Sequence, residues 1–293
     1  MAALYWWMAG GALVIWCAVM VLAVWCVRMS SGAPNRMRDR ALIVGGGVVV
    51  PVVVLTGLLS YGLMMIPPLV ARAPQESLRI AVTGEQWWWR VRYERPDGEA
   101  VELANEIRLP VGERVQFRLG SDNVIHSFWI PALAGKMDMI PGRVTWLALQ
   151  PTRAGYYRGA CAEYCGGSHA LMAFDVEVTA RAAFDDWLER QAQPAASPAD
   201  PLAQEGYDAF FASGCSACHT IRGTPAAGSI GPDLTHVGSR RTLAGSTLPN
   251  DADAFRRWIA QADHIKPQAH MPRFEMLPAQ QLTALAAYLE ALQ

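Results

Sequence analysis

The chain has 293 residues, a formal net charge of -1 at neutral pH and 52% hydrophobic residues. Balanced charge without Lys/Arg blocks offers no basic field for nucleic acid, and this length leaves room for two modest soluble domains beside membrane anchors. The apolar excess is local and sits in the first 70 residues.

Two stretches there carry no charged side chain, Tyr5 to Val27 and Ala41 to Val70. A bilayer crossing takes about 20 apolar residues, and membrane helices tolerate glycines such as Gly45 to Gly47 and a proline such as Pro51. The pattern predicts membrane helices at about 5–27 and 41–66. A cleaved signal peptide fits less well, because it needs a positive leader and a shorter apolar run. Arg28, Arg36, Arg38 and Arg40 face Asp39 alone in the connection. The positive-inside rule therefore puts that loop in the cytoplasm. Both termini and everything after Val70 then lie on the periplasmic or outer side of a bacterial inner membrane. Cys17 and Cys26 fall within the first span, where thiols act as small apolar groups.

From Leu78 to Thr179 short segments alternate apolar and polar residues between Gly, Pro, Asp and Asn turn signals. Such spacing predicts an all-β sandwich or barrel. Ala182 to Gln191 reads as a short helix, and the Pro/Ala-rich run from Gln193 to Pro201 as a semi-rigid linker. Helical periodicity then returns at Gln204 to Ser213, Asp251 to Ala262 and Pro278 to Leu292. The expected organisation is a transmembrane hairpin at 1–75, an all-β domain at 76–181, a short helix and linker at 182–202, and an all-α domain at 203–293.

Two close cysteine pairs stand out, Cys161/Cys165 and Cys215/Cys218. A disulfide is the default for such pairs outside the cytoplasm, yet a Cys161–Cys165 bridge would leave His169 and Met172 unexplained. Cys161, Cys165, His169 and Met172 lie within twelve positions, with His126 upstream. Thiolate, thioether and imidazole together select copper, and zinc would not favour Met172. Two thiolates four residues apart can bridge a pair of coppers, which suits electron transfer and leaves no open position for a substrate. A copper-delivery protein is the competing reading, but its motif sits in a thioredoxin-like α/β setting that the strand pattern here does not supply.

The segment Cys161-Ala-Glu-Tyr-Cys-Gly-Gly-Ser-His-Ala-Leu-Met172, with His126-Ser-Phe-Trp-Ile-Pro131 and Lys136-Met-Asp-Met-Ile-Pro-Gly-Arg143, resembles subunit II of cytochrome c oxidase. The resemblance implies a cupredoxin-like fold and a binuclear copper centre (CuA) held by His126, Cys161, Glu163, Cys165, His169 and Met172. By that likeness Glu163 binds copper through its carbonyl. Its carboxylate, with Asp138 nearby, points to a magnesium or manganese ion shared with subunit I. In Gly84-Glu-Gln-Trp-Trp-Trp-Arg90, Trp87 matches the residue that takes in electrons from the donor, while Trp88 and Trp89 read equally well as strand packing. Two positions depart from the family: Val44 stands where a glutamate marks the mouth of a proton path, and Asn123 where many relatives have Asp.

Cys215-Ser-Ala-Cys-His219 is a c-type haem attachment motif. Its thiols add to the haem vinyl groups and His219 supplies the proximal imidazole. Met271, followed by Pro272, is the expected sixth ligand, as in class I cytochromes c, with His270 and Met276 as competitors; Met/His ligation raises the potential. Gly231-Pro-Asp-Leu234 resembles the segment that packs at the haem edge. His236 and His264 belong to no motif and read as surface or structural residues.

The whole chain resembles a subunit II with a C-terminal cytochrome c fusion, as in caa-type oxidases. That resemblance implies a multidomain membrane protein that passes electrons through haem c and CuA to subunit I, where dioxygen is reduced to water. The implied partners are subunits I and III, an external cytochrome c or quinol–cytochrome c reductase, and the lipid bilayer, with no nucleic acid. The electron-input subunit of a CuA-containing nitric oxide reductase and a non-enzymatic copper-handling protein are the alternatives.

Overall fold

The computed structural model describes residues 2–28, 36–95 and 98–293, so residues 29–35 of the expected cytoplasmic connection lie outside the described residues. The chain divides into two units, residues 1–67 and 68–293. In the first, α1 (Ala2–Arg28) is one uninterrupted helix with Arg28 in its last turn, where a cation meets the negative end of the helix dipole. The second span begins earlier than its apolar pattern implied. Its first turns, α2 (Arg36–Ala41), contain Arg36, Arg38, Asp39 and Arg40, because Arg and Met are good helix formers and charge does not end a helix.

That helix widens over Leu42–Val49 into π-helical hydrogen bonding and continues as α3 (Val50–Val70). The Val50 amide donates to the Gly45 carbonyl, five residues back, so the widened run covers the three glycines. The stretches Leu4–Arg28 and Arg36–Pro67 are long and apolar enough to cross a membrane, and neither is buried within the chain. The Arg38 guanidinium lies 5.4 Å from the Trp25 ring centroid, linking the two helices near the connection.

In the second unit ten strands form two five-stranded sheets. They are β1 (Arg79–Glu85), β2 (Trp88–Glu94), β3 (Ala100–Ala104), β4 (Glu106–Pro110), β5 (Val115–Ser121), β6 (His126–Trp129), β7 (Met137–Met139), β8 (Thr145–Leu149), β9 (Gly155–Cys161) and β10 (Ala173–Thr179). The orders β3-β2-β1-β5-β8 and β4-β10-β9-β6-β7, with parallel pairs β1–β5 and β4–β10, make a cupredoxin-like sandwich. Alternation along β2 sends Trp89, Val91 and Tyr93 inward, as the period of a strand requires. Trp89, Phe117, Phe128 and Phe174 fill the centre, and the Phe128 and Phe174 rings stack at 5.0 Å. Gly159 on β9 admits this stack, since a Cβ there would meet the Phe174 ring at 2.0 Å. Phe184 and Trp187 of α4 (Arg181–Ala192) close the sandwich against Tyr93.

The helical part starts three residues before its periodicity suggested. Asp200 caps α5 (Pro201–Ala212) by accepting from the Ala203 amide at 3.0 Å, and Pro201 occupies the first turn. Asp before Pro is a helix start signal that the surrounding Pro/Ala run obscured. A two-stranded ribbon, β11 (Thr242–Leu243) and β12 (Leu248–Pro249), precedes α6 (Ala252–Ile265) and α7 (Ala279–Ala291). α5 and α7 cross in contact at Gly206, where a Cβ would sit 2.0 Å from the Ala284 carbonyl oxygen.

The run at 193–200 does not hold the helical domain at a distance. Arg222 donates to the carbonyls of Gln191 and Ala192 at the end of α4 (2.7 and 3.2 Å), and Ala195 donates its amide to Arg222 (2.9 Å). On another side, Arg241 donates its amide to Glu106 (3.0 Å) and lays its guanidinium over Tyr156, while Thr242 hydrogen-bonds Asp175. The two domains are packed together.

Gly159→Ala forces a methyl into the Phe174 ring, and overpacking of this kind costs about 1–3 kcal/mol. A lower midpoint in thermal unfolding followed by tryptophan fluorescence is the expected result; an unchanged midpoint would mean that the ring yields freely. A second expectation concerns pH. His236 is 6% exposed beside Arg222, and burial, reinforced by that guanidinium, depresses its pKa from 6.5 to about 4. The folded chain holds it neutral, so its contribution is complete above the unfolded value and is lost as pH falls from 6.5 towards 4. Linkage gives a loss of about 2 kcal/mol by pH 5, and His236→Gln should flatten that part of the stability curve.

Candidate functional site

β9 ends at Cys161 and β10 begins at Ala173, so Cys161 to Met172 forms the loop of one hairpin. The Cys161 amide donates to the Met172 carbonyl at 2.9 Å and closes the loop. β6 lies beside β9 with Phe128 opposite Cys161, which carries His126 to the same end of the sandwich. Gly84 leaves space for its ring; a Cβ there would meet the imidazole at 2.7 Å.

Ligand atoms of His126, Cys161 and Cys165 all lie within 4.8 Å of one another, and all three residues are buried. His126 Nδ1 is 3.7 Å from Cys161 Sγ, His169 Nδ1 is 3.6 Å from Cys165 Sγ, and Met172 Sδ is 3.7 Å from Cys165 Sγ. The Glu163 carbonyl oxygen lies 3.1 Å from Cys161 Sγ. Each thiol thus sits between the other and one imidazole. Cys161 and Cys165 are free thiols. The hydrogen bond from Cys165 holds the Cys161 thiol far below its usual range, and the proton retained beside that thiolate pushes Cys165 up. Two thiols that cannot both be protonated comfortably, ringed by imidazole and thioether, fit soft metal.

Outer contacts orient these donors. His126 donates Nε2–H to Asn123 Oδ1 at 3.2 Å, leaving Nδ1 to face Cys161. Asn123 thus holds the His126 ring in this orientation. Gln86 and Trp87 both donate to the Cys165 carbonyl, at 2.8 and 3.0 Å. Trp87 is 5% exposed, whereas Trp89 lies in the core and Trp88 stacks on Arg90. Asp138 accepts from Ser127 (2.7 Å) and Lys136 (3.0 Å), which hold its carboxyl below the usual range. The Lys136 ammonium also lies 4.0 Å from Glu163, so the cation between these two carboxylates here is a lysine.

In the helical domain Cys215, Cys218 and His219 follow α5, turned by Gly214 at φ +77°. Both cysteines are free and half-buried. His219 donates Nδ1–H to the Pro232 carbonyl at 2.8 Å, leaving Nε2 for a ligand, and burial lowers its pKa. Gly231 allows that approach, since a Cβ would sit 2.5 Å from the imidazole. Two free thiols and an oriented imidazole fit a covalent haem. Met271 packs half-buried against the apolar core of this domain. His270 instead faces outward, its ring 5.8 Å from that of Trp87, and Met276 is 72% exposed. His236 is buried at the Arg222 junction and His264 is exposed.

The residues just before Met271 lie on the copper loop. Ser168 donates to the Pro267 carbonyl at 2.6 Å, the Gln268 side chain covers Gly167, and Lys266 is buried nearby. None of these contacts had a sequence signal, because each joins residues about a hundred positions apart.

A β-sandwich with a Cys/His/Met cluster at one end, joined to a helical domain with a haem-attachment motif, defines a cupredoxin-like protein fused to a c-type cytochrome. Residues 94–179 match the family model described as "Cytochrome C oxidase subunit II, periplasmic domain", and residues 203–293 match "Cytochrome c". The chain thus carries a cytochrome c oxidase subunit II periplasmic domain followed by a C-terminal cytochrome c domain. It is 37% identical to cytochrome c oxidase subunit 2 of Alkalihalophilus pseudofirmus over 73% of this chain and 61% of the relative. It is 34% identical to that of Bacillus sp. strain PS3 over 73% and 62%. The chain thus spans about three fifths of the length of these relatives. The crystal structure of the periplasmic domain of subunit II of cytochrome oxidase (CoxB) of Bradyrhizobium japonicum is 30% identical. It covers 42% of this chain and 96% of its own, with a TM-score of 0.38.

Removing a hydrogen bond that orients a metal-bound imidazole costs 10–100-fold in metal affinity (about that range for comparable sites). Asn123→Ala should therefore weaken copper retention against a chelator by about that factor, whereas Asn123→Asp should retain or tighten it. Equal retention in all three proteins would show that the Asn123 contact orients nothing.

Proposed function

We propose that this chain is the electron-input subunit of a haem–copper terminal oxidase, taking electrons from a cytochrome c or a quinol–cytochrome c reductase and passing them to subunit I for reduction of dioxygen to water. Haem c and a CuA pair, when bound, each supply a one-electron carrier that cycles without making or breaking bonds. Cys215 and Cys218 would anchor the haem, and His219 and Met271 would supply the donors to its iron. His126, Cys161, Cys165, His169, Met172 and the Glu163 carbonyl would hold the copper pair.

The observation that carries this reading is the chain of contacts between the two centres. His270 directly precedes Met271 and packs its ring on Trp87, and Trp87 donates to the carbonyl of the copper-loop residue Cys165. Trp87 therefore serves as the bridge from the haem domain. Burial of Trp87, Cys165 and Met172 keeps water from reorganising around the path. Asp138 and Glu163 would take a magnesium or manganese ion at the boundary with subunit I once Lys136 swings aside. α1 and the helix ending in α3 would anchor the chain with both soluble domains on the periplasmic side. Val44, on the π-helical run, leaves no carboxylate there for proton uptake, so protons would reach the partner subunit by another residue.

The purified complex should show a haem c spectrum together with a mixed-valence copper electron-paramagnetic-resonance signal. Cys161→Ser should abolish the copper signal and spare the haem. Trp87→Phe should leave both spectra intact and slow electron transfer from haem to copper. A single labile copper without the mixed-valence signal would instead support a copper-handling protein, and a partner subunit that reduces nitric oxide but not dioxygen would move the reading to the reductase.

A further inference from the structure

Lys266 ends α6 and is 4% exposed. Its ammonium donates one hydrogen bond, to the Ala244 carbonyl at 3.2 Å, and no carboxylate pairs with it among the described residues. Its surroundings come from both domains. A Cβ built on Gly245 would lie 3.1 Å from the ammonium nitrogen, 3.0 Å from the Ala173 carbonyl oxygen and 3.5 Å from that of Leu171. The charge therefore sits between the 244–245 turn of the helical domain and the end of the copper loop, on either side of Met172. A buried ammonium without a counterion is unfavourable unless another charge answers it. The charge that would answer it belongs to the loop flanked here, whose Cys165 would become a thiolate once copper displaces the proton it holds. Burial lowers the lysine's pKa to about 8, so the side chain remains largely cationic at neutral pH.

Its neighbours keep this charge in place. Pro267 accepts from Ser168 and Gln268 covers Gly167, so the backbone on the C-terminal side of Lys266 is held against the same loop. Lys136, in the copper domain itself, lies instead towards Asp138 and Glu163.

We propose that Lys266 is a positioning residue through which the docked haem domain tunes its own electron acceptor, its buried ammonium favouring the extra electron on the copper pair that the loop would hold. This rests on the reading of the two centres given above. The step concerned is a single electron leaving ferrous haem c and reducing the oxidised copper pair, with no bond formed and no proton transferred. A positive charge near the acceptor moves that equilibrium forward, and it is present only while the domains are packed together. Electron acceptance and docking are thereby coupled within one chain.

The test is a stepwise ascorbate titration of the full-length protein in detergent, with haem c read by its visible band and the copper pair by its near-infrared band. The readout is the ratio of reduced copper to reduced haem at half-reduction. Lys266→Met removes the charge and fills the buried space, and should lower that ratio about tenfold, the scale of one partly buried charge. Lys266→Arg keeps the charge and should hold the ratio close to wild type. A ratio that is equal in all three proteins, or that falls equally in both variants, would overturn the proposal, because a purely structural lysine gives one or the other. Absence of the haem or near-infrared bands from the wild-type protein would instead overturn the underlying functional reading.

Discussion

The amide of Cys161 bonded to the carbonyl of Met172 is the contact on which the copper end of the molecule depends. It closes a twelve-residue loop at the mouth of the β9–β10 hairpin, so that two thiols, an imidazole and a thioether converge instead of trailing into solvent. A loop of that length would ordinarily be mobile, because ordering each residue costs about 1–2 kcal/mol of backbone entropy. Here the order is imposed from several sides. β6 brings His126 alongside Cys161, and Gln86 and Trp87 hold the Cys165 carbonyl. The stacked Phe128 and Phe174 rings lie beneath the strands. A rigid donor set suits electron transfer, since ligands that cannot move need little rearrangement when the charge changes.

The helical domain completes that order. Pro267, Gln268 and His270 lie on the loop and on Trp87, immediately before the methionine expected on haem iron. Whatever fixes the proposed haem ligand therefore also braces the proposed copper ligands. The Arg222 clamp on the end of α4 and the Glu106 and Asp175 contacts to Arg241 and Thr242 hold the same arrangement from two further sides. A tether alone would raise the local concentration of the donor. This packing goes further and presents one orientation. The cost is a set of buried charges, Lys266 among them, and on the order of several kcal/mol per desolvated ion must be recovered from the surrounding contacts.

Much of the chemistry was legible in the residues. Cys215-Ser-Ala-Cys-His219 and the Cys161–Met172 segment are local motifs, and their spacing marks candidate donors because the members of each lie within one loop. The two spans were legible because a bilayer imposes a length and a composition. The fold class followed from alternation in β1, β2, β4, β5 and β10. The shorter strands β6 and β7 were harder to see, since three or four residues carry too little periodicity. The start of α2 was hidden by its arginines, and that of α5 by the Pro/Ala run before it.

Sequence by itself thus determined which atoms could bind metal and haem, and which segments could cross a membrane, because those properties belong to residue type and short spacing. Tertiary structure alone decided which groups orient and brace them. Asn123 reaches His126 by a turn at the start of β6, but Gln86 and Trp87 reach Cys165, and Lys266, Pro267 and His270 reach the copper domain, only after the chain has folded back over about 80 to 180 positions. Hydrogen bonds and buried charges of that kind are properties of proximity, and no local pattern encodes them.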